Sequence, residues 1–303
     1  MSQTIGPVTS QKGPVCLAGG FGPVYGPGTP AFVLDQLSAF PAVAFSVRQL
    51  TAGQYARPYC MLVRRSSDNA TLNIGYVNGV LDVVSLLAFV GSGNGFVVTW
   101  YNQGSLGSAG DATQSTAASQ PQIVANGVVE TQNGVPTVYF GGSQSLNGPA
   151  IVPSNGVFLV GFAKSTNTNN YADYYSFPNG SLIRYFSSGV VVLFAYSTST
   201  SSYYQTNNGS YVVPSGLKIH GAAITNSAQN LYVNGSLIAS STFGLTLQTA
   251  SEGLILGLAF ATSEALIGGI SEFFVSANPF SASDRQIADL NAASYYGIAG
   301  VTQ

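Results

Sequence analysis

The sequence predicts an all-β fold, a two-sheet antiparallel jelly-roll sandwich, and three observations carry that prediction. Asn-Gly pairs punctuate the chain nine times, with the Asn at positions 78, 94, 126, 133, 147, 155, 179, 208 and 234. Between them lie short runs rich in Val, Tyr, Phe, Ile and Thr, and charged residues make up only 7% of the 303 positions. Asn and Gly tolerate the positive φ angles of two-residue hairpin turns. Many short strands separated by such turns indicate a sandwich or barrel, and no alternation of strand and helix points to a parallel sheet.

Residues 1 to about 35 precede this pattern. They contain Gly6-Pro7, Gly13-Pro14, Gly22-Pro23 and Gly26-Pro27-Gly28, dipeptides that break regular structure. This segment reads as an extended arm for anchoring or assembly, with residues 36–303 forming the sandwich. Strands are predicted at Gly95–Trp100, Thr137–Phe140, Val157–Phe162, Val190–Tyr196 and Leu254–Leu258. A short helix is predicted over Asp82–Phe89 with Asp82 as its N-cap. A second runs from about 282 to 296, opened by the cap-box spacing of Ser281 to Asp284. Ile287 and Leu290 share one of its faces, and Gly297 stops it.

Composition excludes several classes of function. Nine basic residues against eleven acidic give a net charge of −2, so the basic stripe of a nucleic-acid-binding protein is missing. No run reaches the ~18 apolar residues of a membrane helix. The first residues lack the basic and apolar stretches of a secretory signal. Cys16 and Cys60 are too few for a disulfide framework; two free buried thiols are expected, with one long-loop disulfide as the alternative. A surface made of Ser, Thr, Asn, Gln and Gly suits hydrogen-bonded contact with sugars or neighbouring subunits.

Two stretches carry a resemblance. Lys218–Ser240 places Leu231-Tyr232-Val233-Asn234-Gly235 between two strands, and Glu272–Ile298 reads as a last strand and a terminal helix. Both resemble laminin-G/concanavalin A-like lectin domains. Ala44–Val124, with AFSVRQL, TWYNQ and GDATQSTAASQPQIV, resembles a laminin-G-like module of bacteriophage virion proteins. More distantly it is similar to the catalytic domain of α-L-arabinofuranosidase B.

That last likeness implies an enzyme, and the carboxylates speak against it. A retaining glycosidase needs two carboxylates about 5–5.5 Å apart. Where the family has its acid in a Gly-Asp-Asn segment, this chain reads Ala259-Phe260-Ala261-Thr262. The segment of the family's nucleophilic Glu has its nearest counterpart in Tyr171-Ala172-Asp173-Tyr174-Tyr175-Ser176-Phe177, which lacks the Glu. In the Tyr-Asp-Gln-Ser-Gly motif, Asn102 replaces the Asp. No catalytic residue is therefore assigned. The single His220 cannot build a multi-His metal site and reads as a satisfied structural histidine in a strand. Gly91-Ser92-Gly93-Asn94-Gly95 lacks the Lys-Ser/Thr ending of a phosphate loop.

The aromatic residues hold the binding signal. Trp100, Tyr101 and Asn102 run from a strand into a polar loop, and Tyr174, Tyr175, Tyr203 and Tyr204 cluster in Asn/Ser-rich sequence; these seven are the candidate carbohydrate-binding residues, with ordinary sandwich packing as the competing reading. Arg64-Arg65 and Asp68 are expected to form a local hydrogen-bonded turn. Asp68, Asp111 and Asp173 sit in loop-like sequence, where a structural calcium ion is the cofactor to consider; turn-capping aspartates are the plainer reading. The resemblance implies a non-enzymatic phage virion subunit such as a fibre, spike or head decoration. The expected partners are other virion proteins through the arm, further copies of the chain, in the fibre analogy as a trimer, and a host-surface glycan. A free lectin module is the alternative.

Overall fold

A computed structural model describes residues 32–152, 156–163, 171–186, 188–207, 209, 211–213, 216–258 and 264–302. Cys16, the Gly-Pro pairs of the arm, and Ala259 to Thr262 lie outside these residues. Among the described residues, 20 strands join in one continuous hydrogen-bonded network, and Thr131–Gln132 and Val135–Pro136 form a separate ribbon. The strand pairings are antiparallel, and the network curls into two facing layers.

The organising strand of the first layer is Ile267–Ser276. One edge pairs along its length with Gly156–Ala163. Its other edge receives Val43–Ser46 and Val138–Gly141 end to end. Lys218–Ile224, Ala228–Val233 and Ser236–Thr242 extend the layer outward. The second layer runs from Thr71–Val77 through Tyr59–Arg65 and Gly95–Trp100, then by Ala112–Thr113 and Leu146–Ile151 to Glu252–Leu256. It continues through Tyr171–Ser176, Ser181–Phe186, Val191–Ser197 and Ser202–Thr206. Gln122–Ala125 bonds to both layers and closes one side.

The turn chemistry works as the sequence implies. Asn78-Gly79, Asn126-Gly127, Asn133-Gly134 and Asn234-Gly235 all have positive φ at both residues, and each links directly paired strands. This is the geometry whose twist matches that of the strands. Asn147-Gly148 instead lies within a strand, and Gly95 begins one; Asn155 and Asn208 lie outside the described residues.

The two helices are α1, Val83–Val90, and α2, Ala282–Tyr296. Asp82 caps α1 by accepting from Ser85 N at 3.0 Å. Ser281 caps α2 by accepting from Asp284 N at 3.0 Å, and Gly297 ends it in the left-handed region. Ile287 packs partly against the core. Ala288, Ala292, Tyr295 and Tyr296 face the sandwich, while Leu290 is 46% exposed. A short 3-10 helix, Val33–Gln36, buries Val33 and Leu34 in the same core.

Close packing of the layers leaves no room at certain glycines. A Cβ at Gly268, midway between Val138–Gly141 and Gly156–Ala163, would overlap the Phe162 carbonyl oxygen. Because that neighbour is backbone in a paired strand, Gly268→Ala is expected to cost about 1–3 kcal/mol through overpacking. Urea melts at a common pH measure it.

Candidate functional site

The strand Gly95–Trp100 leaves the sheet at Trp100-Tyr101-Asn102, and successive side chains point to opposite sides. Trp100 goes inward: it is fully buried, tilted against Phe45 at 5.8 Å between ring centroids, and its Nε1 donates to Ser46 O at 3.1 Å. Asn102 is also buried. Its Oδ1 accepts from Ala44 N at 2.7 Å and Gly104 N at 2.8 Å, and its Nδ2 donates to Gly107 O at 3.0 Å. Asn102 thus holds the loop together, and neither it nor Trp100 offers a ligand a face.

Tyr101 points outward, and around it lies a constellation of residues from several strands and loops. Its ring is 6.5 Å from that of Tyr59, which is 43% exposed. Its hydroxyl donates to Asn73 Oδ1 at 2.6 Å. Arg57 lies over the Tyr101 ring at 5.1 Å and forms a two-pronged pair with Asp111 at 3.2 and 3.3 Å. Asp111 Oδ1 in turn accepts from Asn102 N at 2.9 Å. Burial and the Asp111 charge push the Tyr101 phenol up, against the pull of Arg57, so it remains a neutral donor. Two tyrosine faces, a guanidinium, a carboxylate and an exposed amide therefore share one surface. Alternation gave no signal for Tyr59: Cys60, Met61 and Val63 are the buried residues of Tyr59–Arg65, and a bulge between Tyr59 and Met61 breaks the period.

The other candidate aromatics are spent on packing. Tyr174 and Tyr175 are buried, against His220 at 5.1 Å and Phe273 at 5.1 Å respectively. The loop-like expectation for them is corrected: both belong to the strand Tyr171–Ser176. Tyr203 and Tyr204 are half-buried on an edge strand. Tyr203 hydrogen-bonds the carbonyls of Phe177 and Pro178 and crosses Tyr196 at 5.1 Å; Tyr204 packs on Phe243.

The aspartates considered for calcium are each taken by an arginine. Asp68 pairs with Arg65 at 2.7 Å in the predicted local turn, and Asp111 with Arg57. Asp173, contrary to its loop-like reading, is a fully buried strand residue gripped by Arg184 at 2.7 Å from two nitrogens. Among the described residues no three His, Cys, Asp or Glu side chains gather as metal ligands.

Arg184 Nη2 also contacts Glu264 Oε2 at 2.9 Å, so Asp173 and Glu264 share one guanidinium nitrogen. The two carboxylates are thus held side by side on a single arginine. Burial holds Asp173 up at about 6 against the pull of Arg184, with Glu264 adding to the rise. Both Asp173 oxygens accept from Arg184, so this carboxylate is held in a two-pronged ion pair. His220 is buried in its predicted strand, but both ring nitrogens lack a hydrogen-bond partner, and burial lowers it to about 3. It is a neutral core residue, structural but not satisfied. Cys60 is a free thiol in the core, and burial raises it far above its usual range.

No family model and no curated protein matches the chain. Among solved structures, an arabinofuranosidase complexed with arabinofuranosyl-α-1,2-xylobiose superposes with a TM-score of 0.61 at 13% identity, over 87% of this chain and 64% of that one. A GH54 α-L-arabinofuranosidase soaked with a cyclic sulfate inhibitor gives a TM-score of 0.57, also at 13% identity, over 84% of this chain and 63% of the other. The chain thus spans less than two thirds of the length of these structures. The likeness defines the fold: a β-sandwich of the kind seen in arabinofuranosidases.

Proposed function

We propose that the protein is a non-hydrolytic carbohydrate-binding sandwich, displayed on a phage particle as a fibre, spike or decoration subunit. The observation that carries the binding role is the Tyr59–Tyr101 surface, bordered by Asn73 and the Arg57–Asp111 pair. Sugar rings present apolar faces and hydroxyl rims, and this surface offers aromatic faces with both donors and acceptors beside them. Tyrosine supplies such contact area with few rotatable bonds to freeze. The non-hydrolytic reading is supported by the ion pairing of Asp173 and Glu264 with Arg184. The virion setting rests on the resemblance carried by Ala44–Val124.

A glycan panel screened against the full chain tests the reading. Tyr59→Ala with Tyr101→Ala is expected to weaken the best binder by at least about tenfold, or 1.4 kcal/mol, at unchanged circular dichroism. A nitrophenyl arabinofuranoside is expected to release no nitrophenol. Binding that survives the double variant sinks the assignment of this surface, and turnover sinks the non-hydrolytic role. For the virion role, deletion of residues 1–31, which stops short of the buried Val33, is expected to abolish attachment to parent particles while the sandwich stays folded.

A further inference from the structure

Helix α2 borders a cavity of about 270 Å³ lined by Gly235, Ser283, Arg285, Gln286, Asp289 and Thr302. It is built from elements other than those of the Tyr59–Tyr101 surface. Asp289 is only 4% exposed, yet among the described residues no hydrogen bond reaches its carboxylate and no cation lies within salt-bridge distance. Arg285 stands one helical turn earlier, a spacing at which side chains are neighbours and opposite charges commonly pair. Instead its guanidinium is stacked on the Tyr232 ring at 4.0 Å. Burial pushes Asp289 up to about 7, with Arg285 pulling the other way.

The Asp289 carboxylate lines the cavity with no protein partner among the described residues, and a largely buried charge held this way is costly; such departures from packing rules concentrate at functional sites. The charges limit what fills the gap. A simple cation meets Arg285, a simple anion meets Asp289, and an apolar molecule leaves both desolvated. A neutral ligand that donates and accepts hydrogen bonds suits the pair, and Ser283 and Thr302 add hydroxyl groups. The volume falls below the ~300–1,000 Å³ of drug-sized pockets, which suits one ring and not a chain of them.

We propose that this cavity binds a single monosaccharide unit, with adjacent sugar hydroxyls donating to the Asp289 carboxylate and a sugar oxygen accepting from Arg285. It is a second carbohydrate site, independent of the Tyr59–Tyr101 surface.

Saturation-transfer NMR with free glucose, galactose and N-acetylglucosamine on the full chain tests it. At least one sugar is expected to give a signal that persists in the Tyr59→Ala/Tyr101→Ala variant, weakens in Asp289→Asn and vanishes in Asp289→Leu. Both Asp289 variants are expected to fold, because each removes an unpartnered charge. The folded protein takes up a proton at Asp289 that the unfolded chain has already lost, so the parent's stability falls as pH rises from about 4 to about 7. The variants lack that fall. Their melting temperatures should therefore exceed the parent's more at about pH 8 than at about pH 5. Silence from all three sugars, or a signal that survives Asp289→Leu, overturns the proposal. So does binding of glycine where the sugars fail, since a zwitterion would then be the occupant. Loss of the signal in the tyrosine variant alone assigns it to the other surface and also overturns this one.

Discussion

Arg48→Met is expected to destabilise the fold by about 3–5 kcal/mol, the range seen when one partner of a buried ion pair is removed. Arg48 is 4% exposed and Glu272 is fully buried. The guanidinium donates to Glu272 at 2.8 and 3.0 Å and to Asn291 Oδ1 at 2.6 Å, and lies 4.5 Å from the centre of the Tyr295 ring. Ser46 and Tyr296 complete the acceptor shell of Glu272 at 2.9 and 3.0 Å. The cluster therefore ties Val43–Ser46, Ile267–Ser276 and α2 at one point, and it is fully satisfied. Met replaces the volume but leaves a carboxylate in a dry site with only neutral donors. Arg48→Met with Glu272→Leu removes both charges and should recover much of the loss. Urea denaturation of the two single variants and the double variant measures the coupling. A single variant within about 0.5 kcal/mol of the parent, the scatter of neutral surface changes, sinks this account.

Both members of that pair stand in the stretches that carry the family resemblance, yet their contact is invisible in the chain, because 224 residues separate them. Local features were readable for the opposite reason. An Asn-Gly turn, the Asp82 and Ser281 caps, and the Gly297 stop depend on residues within one turn of each other. The strand positions followed from composition and alternation. What alternation could not supply was its phase at Tyr174 and Tyr175. Successive strand residues face opposite ways, so a pair of adjacent tyrosines implies one outside. A bulge between Asp173 and Tyr175 breaks that rule, and both are buried; a bulge adds a residue without a mark in the sequence. The same limit hid the Arg57–Asp111 and Arg184–Glu264 contacts, which join distant segments. On α2 the buried face had a usable signal. Ala288, Ala292 and Tyr295 repeat at helical spacing and put Asp289 at the edge of the buried side, where an acidic residue is unexpected.

Trp100→Ala and Tyr101→Ala, adjacent substitutions, are expected to have opposite consequences. Trp100→Ala should cost about 3–5 kcal/mol, as for large aromatic truncations in cores. The indole is fully buried between Phe45 and the second layer, and it spans the layers through its bond to Ser46 O. That carbonyl still accepts from Cys60 Sγ at 3.2 Å, so the loss comes from the cavity more than from an orphaned acceptor. Trp100→Phe keeps much of the ring and loses the bond, and should cost nearer 1–2 kcal/mol. Tyr101→Ala removes an exposed-side hydroxyl contact and an Arg57 stacking partner, each worth about 1 kcal/mol or less, and should leave the melt almost unchanged while weakening glycan binding. The contrast is informative because the two residues share one strand end and one loop. If stability and binding fall together in both variants, the loop is a single structural unit and the Tyr59–Tyr101 surface has no separate role. If they divide as expected, Trp100 fixes the layer spacing and Asn102 fixes the loop, and Tyr101 is the residue those two present to solvent.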